Sequence, residues 1–130
     1  MSAGEPAYRI DFRVEPACVV ADVTGWIDGV EPVIDLFRRS AETLRTARRD
    51  KLLVLDQTRG VVPPEPEMRR LLAVLEGSGL GGVRIAWIDV RGTAVGRIEV
   101  AEILGRERGY DVSVFDNEQR ARIWLNYGQA

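Results

Sequence analysis

A chain of 130 residues is long enough for one domain with a sizeable core, and 45% hydrophobic with 29% charged residues is the composition of an ordinary globule. A net charge of −2 with both signs interspersed argues against a dedicated nucleic-acid binder. There is no histidine and a single cysteine, which removes the commonest general base, every His-based triad, cysteine metal clusters and any internal disulfide.

Residues 1–7 read as a flexible N-terminal segment without a signal-peptide core, followed by one domain over residues 8–127. "YRIDFRV" then alternates. Tyr8, Ile10, Phe12 and Val14 lie on one side and Arg9, Asp11 and Arg13 on the other, the period of a half-exposed strand near an edge. Glu15-Pro16 turns the chain into the more continuous apolar run "ACVVADVTGW", which makes an antiparallel hairpin and places Cys18 as a buried small hydrophobe. Asp28-Gly29 leads into a helix whose Val30, Val33, Ile34, Phe37, Ala41 and Leu44 recur on one face, with Pro32 in the first turn. Arg38, Arg45 and Arg49 share that helix with Glu31, Asp35 and Glu42, a solvated mixed face.

"KLLVLDQ" has the unbroken apolar character of a strand covered on both faces, ending at Asp56 and passing into a loop stiffened by Pro63, Pro64 and Pro66. A second helix carries Met68, Leu71, Leu72 and Leu75 and stops at "GSGLGG", where Gly77 suits the left-handed C-terminal position. "VRIAWID" is a fourth strand. The third helix runs from an N-cap at Thr93 to about Gly109, with Ala94, Ile98, Ala101 and Gly105 as a small-residue face toward the sheet. Val100 and Ile103 lie roughly opposite that face and, with Leu104, make the helix more apolar than one sheet contact requires. A buried second neighbour explains this as well as a protein–protein patch, in which they would be candidates for self-association as a homodimer. "DVSVF" is a fifth strand, and "DNEQ" has capping-box spacing from Asp116, opening a last helix with Ala121, Trp124 and Leu125 inward. Trp26, Trp87 and Trp124 read as packing residues.

The order β-β-α-β-α-β-α-β-α predicts an α/β fold: one mixed, mostly parallel five-stranded sheet with four helices and an antiparallel strand at its start. That order and three local signatures resemble the STAS domain of bacterial anti-sigma-factor antagonists, closest to its SpoIIAA-like branch. "VVADVTGWID" is similar to the family's second strand running into Gly-x-x-Asp, here Gly25 and Asp28. "KLLVLDQT" resembles its third strand, and "YDVSVFDNEQRARIWL" its closing strand and helix. The resemblance implies a bacterial regulatory module that binds a protein partner. It also implies a Ser-bearing Asp-Ser-Ser-Gly-like element at the start of the second helix, phosphorylated by a partner kinase. This chain has "VVPPEPEM" there, so the phosphoserine has no counterpart.

Two loops hold the candidate contact residues. Asp56, Thr58, Arg59 and Gly60 follow the third strand, where open parallel sheets bind ligands, although a loop-capping or Arg-paired role for Asp56 is the simpler expectation. Thr58 is the nearest hydroxyl to the missing serine element. Arg91, Gly92 and Thr93 open the third helix, where free N–H groups could receive an anion, without the spacing of a dinucleotide fingerprint or a P-loop. Glu65 and Glu67 fit the dipole of a helix start better than they fit paired catalytic carboxylates. A response-regulator receiver is excluded by the opening hairpin and by the absence of its acidic pair and lysine. These readings favour a non-enzymatic interaction module with a protein partner and no cofactor. The alternative is a carrier of a small lipid-like or anionic ligand. No run reaches the ~20 apolar residues of a membrane span, so a cytoplasmic location is expected.

Overall fold

The two periodicities, two along strands and 3.6 along helices, appear at the expected places in a computed structural model that describes residues 7–61, 63–92 and 95–128. Strands β1 (Tyr8–Val14) and β2 (Val19–Asp28) form the hairpin. They are followed by α1 (Glu31–Ala47), β3 (Lys51–Val61), α2 (Glu65–Leu75), β4 (Arg84–Asp89), α3 (Val95–Glu107), β5 (Asp111–Phe115) and α4 (Glu118–Tyr127). One sheet holds the strands in chain order, β1 antiparallel to β2 and every later pair parallel. The N-terminal segment 1–6, the expected cap Thr93, Ala94 and the side chain of Ile98 lie outside the described residues.

Successive strand residues feed two cores. Ile10, Val19, Ala21, Val23, Leu52, Val54, Ile85, Trp87 and Val112 point to the face covered by α1, α2 and α3. Cys18, Val20, Leu53, Ala86 and Ile88 point to the other face, where Ala121, Trp124 and Leu125 of α4 meet them. Every residue of the predicted α1 and α2 stripes is buried, and each large aliphatic side chain so placed stabilises the fold by about 1.5–3 kcal/mol. The Phe37 and Trp87 rings meet edge to face at 5.2 Å, locking α1 onto β4. Among the described residues only α4 serves the second face, lying over β3, β4 and β5, and none covers the far ends of β2 and β3 on that side.

Four local differences from the sequence-based expectation have plain causes. First, β3 does not end at Asp56 but continues to Val61, paired with β2 from Val19↔Leu52 to Asp28↔Val61, while β4 pairs only as far as Asp56↔Asp89. Period two persists through this stretch, but its inward positions carry Asp56 and Thr58, so an apolar count stops too early. Second, α4 is capped by Asn117, one residue after Asp116. Asn117 takes the extended backbone a cap needs, and its Oδ1 accepts from Arg120 N–H at 3.0 Å. Third, Val14 and Trp26, expected on the apolar side and in the core, are 53% and 50% exposed. Fourth, part of the apolar excess of α3 is met within the chain. Leu104 and Ala101 are buried, Val100 packs against the main core, and Ile103 alone of this group faces solvent.

Candidate functional site

The third strand gathers four of the residues selected from the sequence, and it separates them by face. Asp56 and Thr58 point inward and are 1% and 0% exposed. Asp56 Oδ1 accepts from Thr58 N–H at 2.9 Å and from the Thr58 hydroxyl at 2.5 Å, while Oδ2 accepts from the Trp87 indole at 3.1 Å. The Asp56 carbonyl also accepts from Val90 N–H at 3.0 Å, at the point where β4 parts from β3. The carboxylate is thus a buried hub joining the two strands, with the Trp87 indole among its partners. A buried carboxylate is tolerated only when its lone pairs are so engaged.

Gly60 has a different task. It sits at φ +148°, opposite Ile27 in the ladder, and a Cβ there would lie 1.7 Å from the Ile27 carbonyl oxygen. Close backbone approach explains why a glycine stands here. Arg59 is the member of the group that reaches solvent.

Beyond β4, Arg91 and Gly92 are exposed, and Thr93 lies outside the described residues. The adjoining groove, of about 390 Å³, lies at the carboxyl ends of β4 and β5 between Asp89, Glu99 and Asp116, with Arg120 on its rim. Among the described residues of its lining, carboxylates outnumber guanidinium groups. Among the described residues no group of three or more Cys, Asp or Glu side chains converges as a metal site. The apolar pocket under α2 and α3, lined by Phe37, Leu75, Trp87 and Tyr110 among others, has a volume of only about 40 Å³.

The side chain that sequence reasoning misplaced is Trp26. It stands on the bare face of the sheet, beside Arg59 in the β2–β3 register, with half-buried Thr24 and Gln57 behind it. Gln57 Nε2 donates to Asp22 Oδ1 at 2.7 Å and stiffens the floor of this patch. At the same end of the sheet Pro64, Glu65 and Pro66 open α2 in exposed positions, and an Arg70–Glu31 ion pair holds that helix to α1. A signal for Trp26 existed. Val23 and Ile27 are inward, so parity turns residue 26 outward, and no predicted helix stripe remained to cover it.

No protein-family model matches the sequence, and no curated protein matches it. Solved structures do match in shape. An anti-sigma factor antagonist from Mycobacterium paratuberculosis superposes with a TM-score of 0.60 at 11% identity, over 97% of this chain and 99% of the other. A protein of the DUF3478 family with a SpoIIAA-like fold, from Shewanella loihica PV-4, gives a TM-score of 0.55 at 12% identity over 96% and 98% of the two chains. The fold is STAS-like, in the SpoIIAA-like form.

Proposed function

We propose that this chain is a non-enzymatic, STAS-like interaction module that acts without a serine switch and offers a protein partner the surface around Trp26, Arg59 and the first turn of α2. The observation that carries this reading is the exposure of Trp26 on a sheet face that no described residue covers, next to an exposed arginine. Trp and Arg dominate binding energy at protein interfaces, and a rigid strand presents them with little ordering entropy to lose. The prolines that replace the expected serine element stiffen the neighbouring α2 start. The likeness to an anti-sigma factor antagonist supports a protein as the partner.

Thr58 does not take the place of the missing serine in this scheme. Its hydroxyl is buried and bonded to Asp56, so a kinase would have to open β3 to reach it. The small volume of the apolar pocket favours the interaction module over the carrier, because about 40 Å³ holds a few water molecules and no acyl chain. The test is capture from an extract of the source organism followed by titration of the captured protein. Trp26→Ala is expected to weaken binding by at least about 2 kcal/mol, roughly 30-fold, with an unchanged thermal midpoint. A partner held equally well by Trp26→Ala and Arg59→Glu would overturn the assignment of this surface.

A further inference from the structure

The sheet has two edges, and the fold treats them differently. On β5, the outward Val114 N–H donates to Glu102 Oε2 at 2.7 Å, and the outward Val112 carbonyl accepts from Arg106 Nε at 3.0 Å. Arg106 also donates to Ser113 Oγ at 3.1 Å. Both side chains come from α3, so two of the outward backbone groups of this edge are already occupied.

On β1 the phase of the ladder can be read from its two ends. Trp26 N–H donates to the Ala7 carbonyl at 2.9 Å, and Glu15 N–H donates to the Cys18 carbonyl at 2.8 Å. Residues 7, 9, 11, 13 and 15 therefore turn their backbone groups toward β2. Those of Tyr8, Ile10, Phe12 and Val14 point away from the sheet. Among the described residues no side chain bonds to these outward groups. The strand runs seven residues without proline or bulge, and it ends on the exposed Val14. A groove of about 550 Å³ follows it, between Phe12 and Val14 on one side and Arg39, Glu42 and Thr46 of α1 on the other.

We propose that β1 is a homodimer interface, at which a second copy of this chain adds its own β1 antiparallel about a two-fold axis at Phe12. Charge complementarity selects both the occupant and the register. With the axis at Phe12, Asp11 lies opposite Arg13 of the second copy and Arg9 opposite its Glu15, each pair occurring twice by symmetry. All sit at the close, non-hydrogen-bonded positions, where side chains interact most strongly. Ile10 then faces Val14, Phe12 faces Phe12, and the outward N–H and carbonyl groups of all three bond across the axis. An axis at Asp11 sets Asp11 against Asp11 and Arg9 against Arg13, like against like. An axis at Ile10 keeps only Arg9–Asp11 pairs and leaves Val14 uncovered.

The experiment is sedimentation of the whole chain over a concentration series up to millimolar, combined with backbone hydrogen exchange. The wild type is expected to dimerise, with the amides of Ile10, Phe12 and Val14 gaining protection as the dimer fills. Asp11→Arg and Arg13→Asp, both at exposed positions, should each weaken the dimer about tenfold or more, and the double exchange should restore it. Val14→Pro, which removes one outward N–H and spares the β2 ladder, should also abolish it. A wild type that stays monomeric, a dimer untouched by Asp11→Arg, or a dimer that the double exchange fails to restore would each overturn the proposal.

Discussion

At the scale of single residues, the Asp56 hub sets the tightest constraint. Among the described residues three donors converge on one buried carboxylate, so an isosteric change there is informative. In Asp56→Asn the amide oxygen can still serve Thr58, but the amide nitrogen then faces the Trp87 indole, donor against donor. A loss of about 1–3 kcal/mol in urea denaturation is expected, with a change in Trp87 fluorescence marking the site. Trp87→Phe should cost a comparable amount, since it leaves Oδ2 without its indole donor. The hub was only half legible in the sequence. An acid ending an apolar run is visible, but its partner is thirty-one residues away on another strand and is an aromatic, the residue type most readily taken for packing.

At the scale of elements, α4 is the helix that packs on the second face of the sheet, and one cluster clasps it. Arg122 donates to Glu15 at 2.8 Å, Arg13 donates to the same carboxylate at 3.0 Å, and Arg49 holds the Glu15 carbonyl at 3.0 Å. The hydrogen bond from Arg122, with help from Arg13 and against a smaller burial effect, pulls the Glu15 carboxyl from 4.5 down to about 2. Because the folded value is the lower one, the clasp contributes fully at neutral pH. Its contribution fades as the pH falls through the unfolded value toward about 2. The pair is partly solvated, so its worth is about 1 kcal/mol, and Arg122→Ala should lose that at pH 7 and almost nothing at the acid end.

Cys18 reports the same event. Burial first, then the Glu15 charge, pushes its thiol up, and α4 shields it. Modification by a thiol reagent should be slow in the wild type and about fivefold faster in Arg122→Ala, through local opening of α4. A gain is also available at the end of α1. Arg48 sits at φ +56°, a left-handed helix stop that an exposed arginine adopts unwillingly. Arg48→Gly is expected to raise stability by about 0.5–1 kcal/mol, seen as a higher thermal midpoint. Helices were the most legible elements, because their stripes are purely apolar. The C-terminal half of β3 was not, because its inward side chains are polar and its glycine is there for backbone clearance.

At the scale of the whole molecule, three helices against one explain most of what distinguishes the two faces. The crowded face consumes nearly every apolar stripe, so the sequence could be read there almost residue by residue. The sparse face leaves Trp26, Arg59 and the outward charges of β1 in solvent, and the lack of a cover is a property of helix placement that no local pattern announces. The order of strands was legible, because each strand–helix–strand connection forces a parallel neighbour. The chemistry at the two sheet edges was not, since Glu102 and Arg106 are ordinary helix-surface residues until β5 is laid beside them.

That difference between the edges has a consequence for how far assembly can proceed. Head-to-tail growth would need β1 of one molecule to pair with β5 of the next, and Glu102 and Arg106 already hold two of the β5 backbone groups that such growth would use. The proposed pairing through β1 would be self-complementary and would close on itself after two chains. An exposed strand, ordinarily a nucleus for fibres, would thereby be confined to a finite, symmetric product.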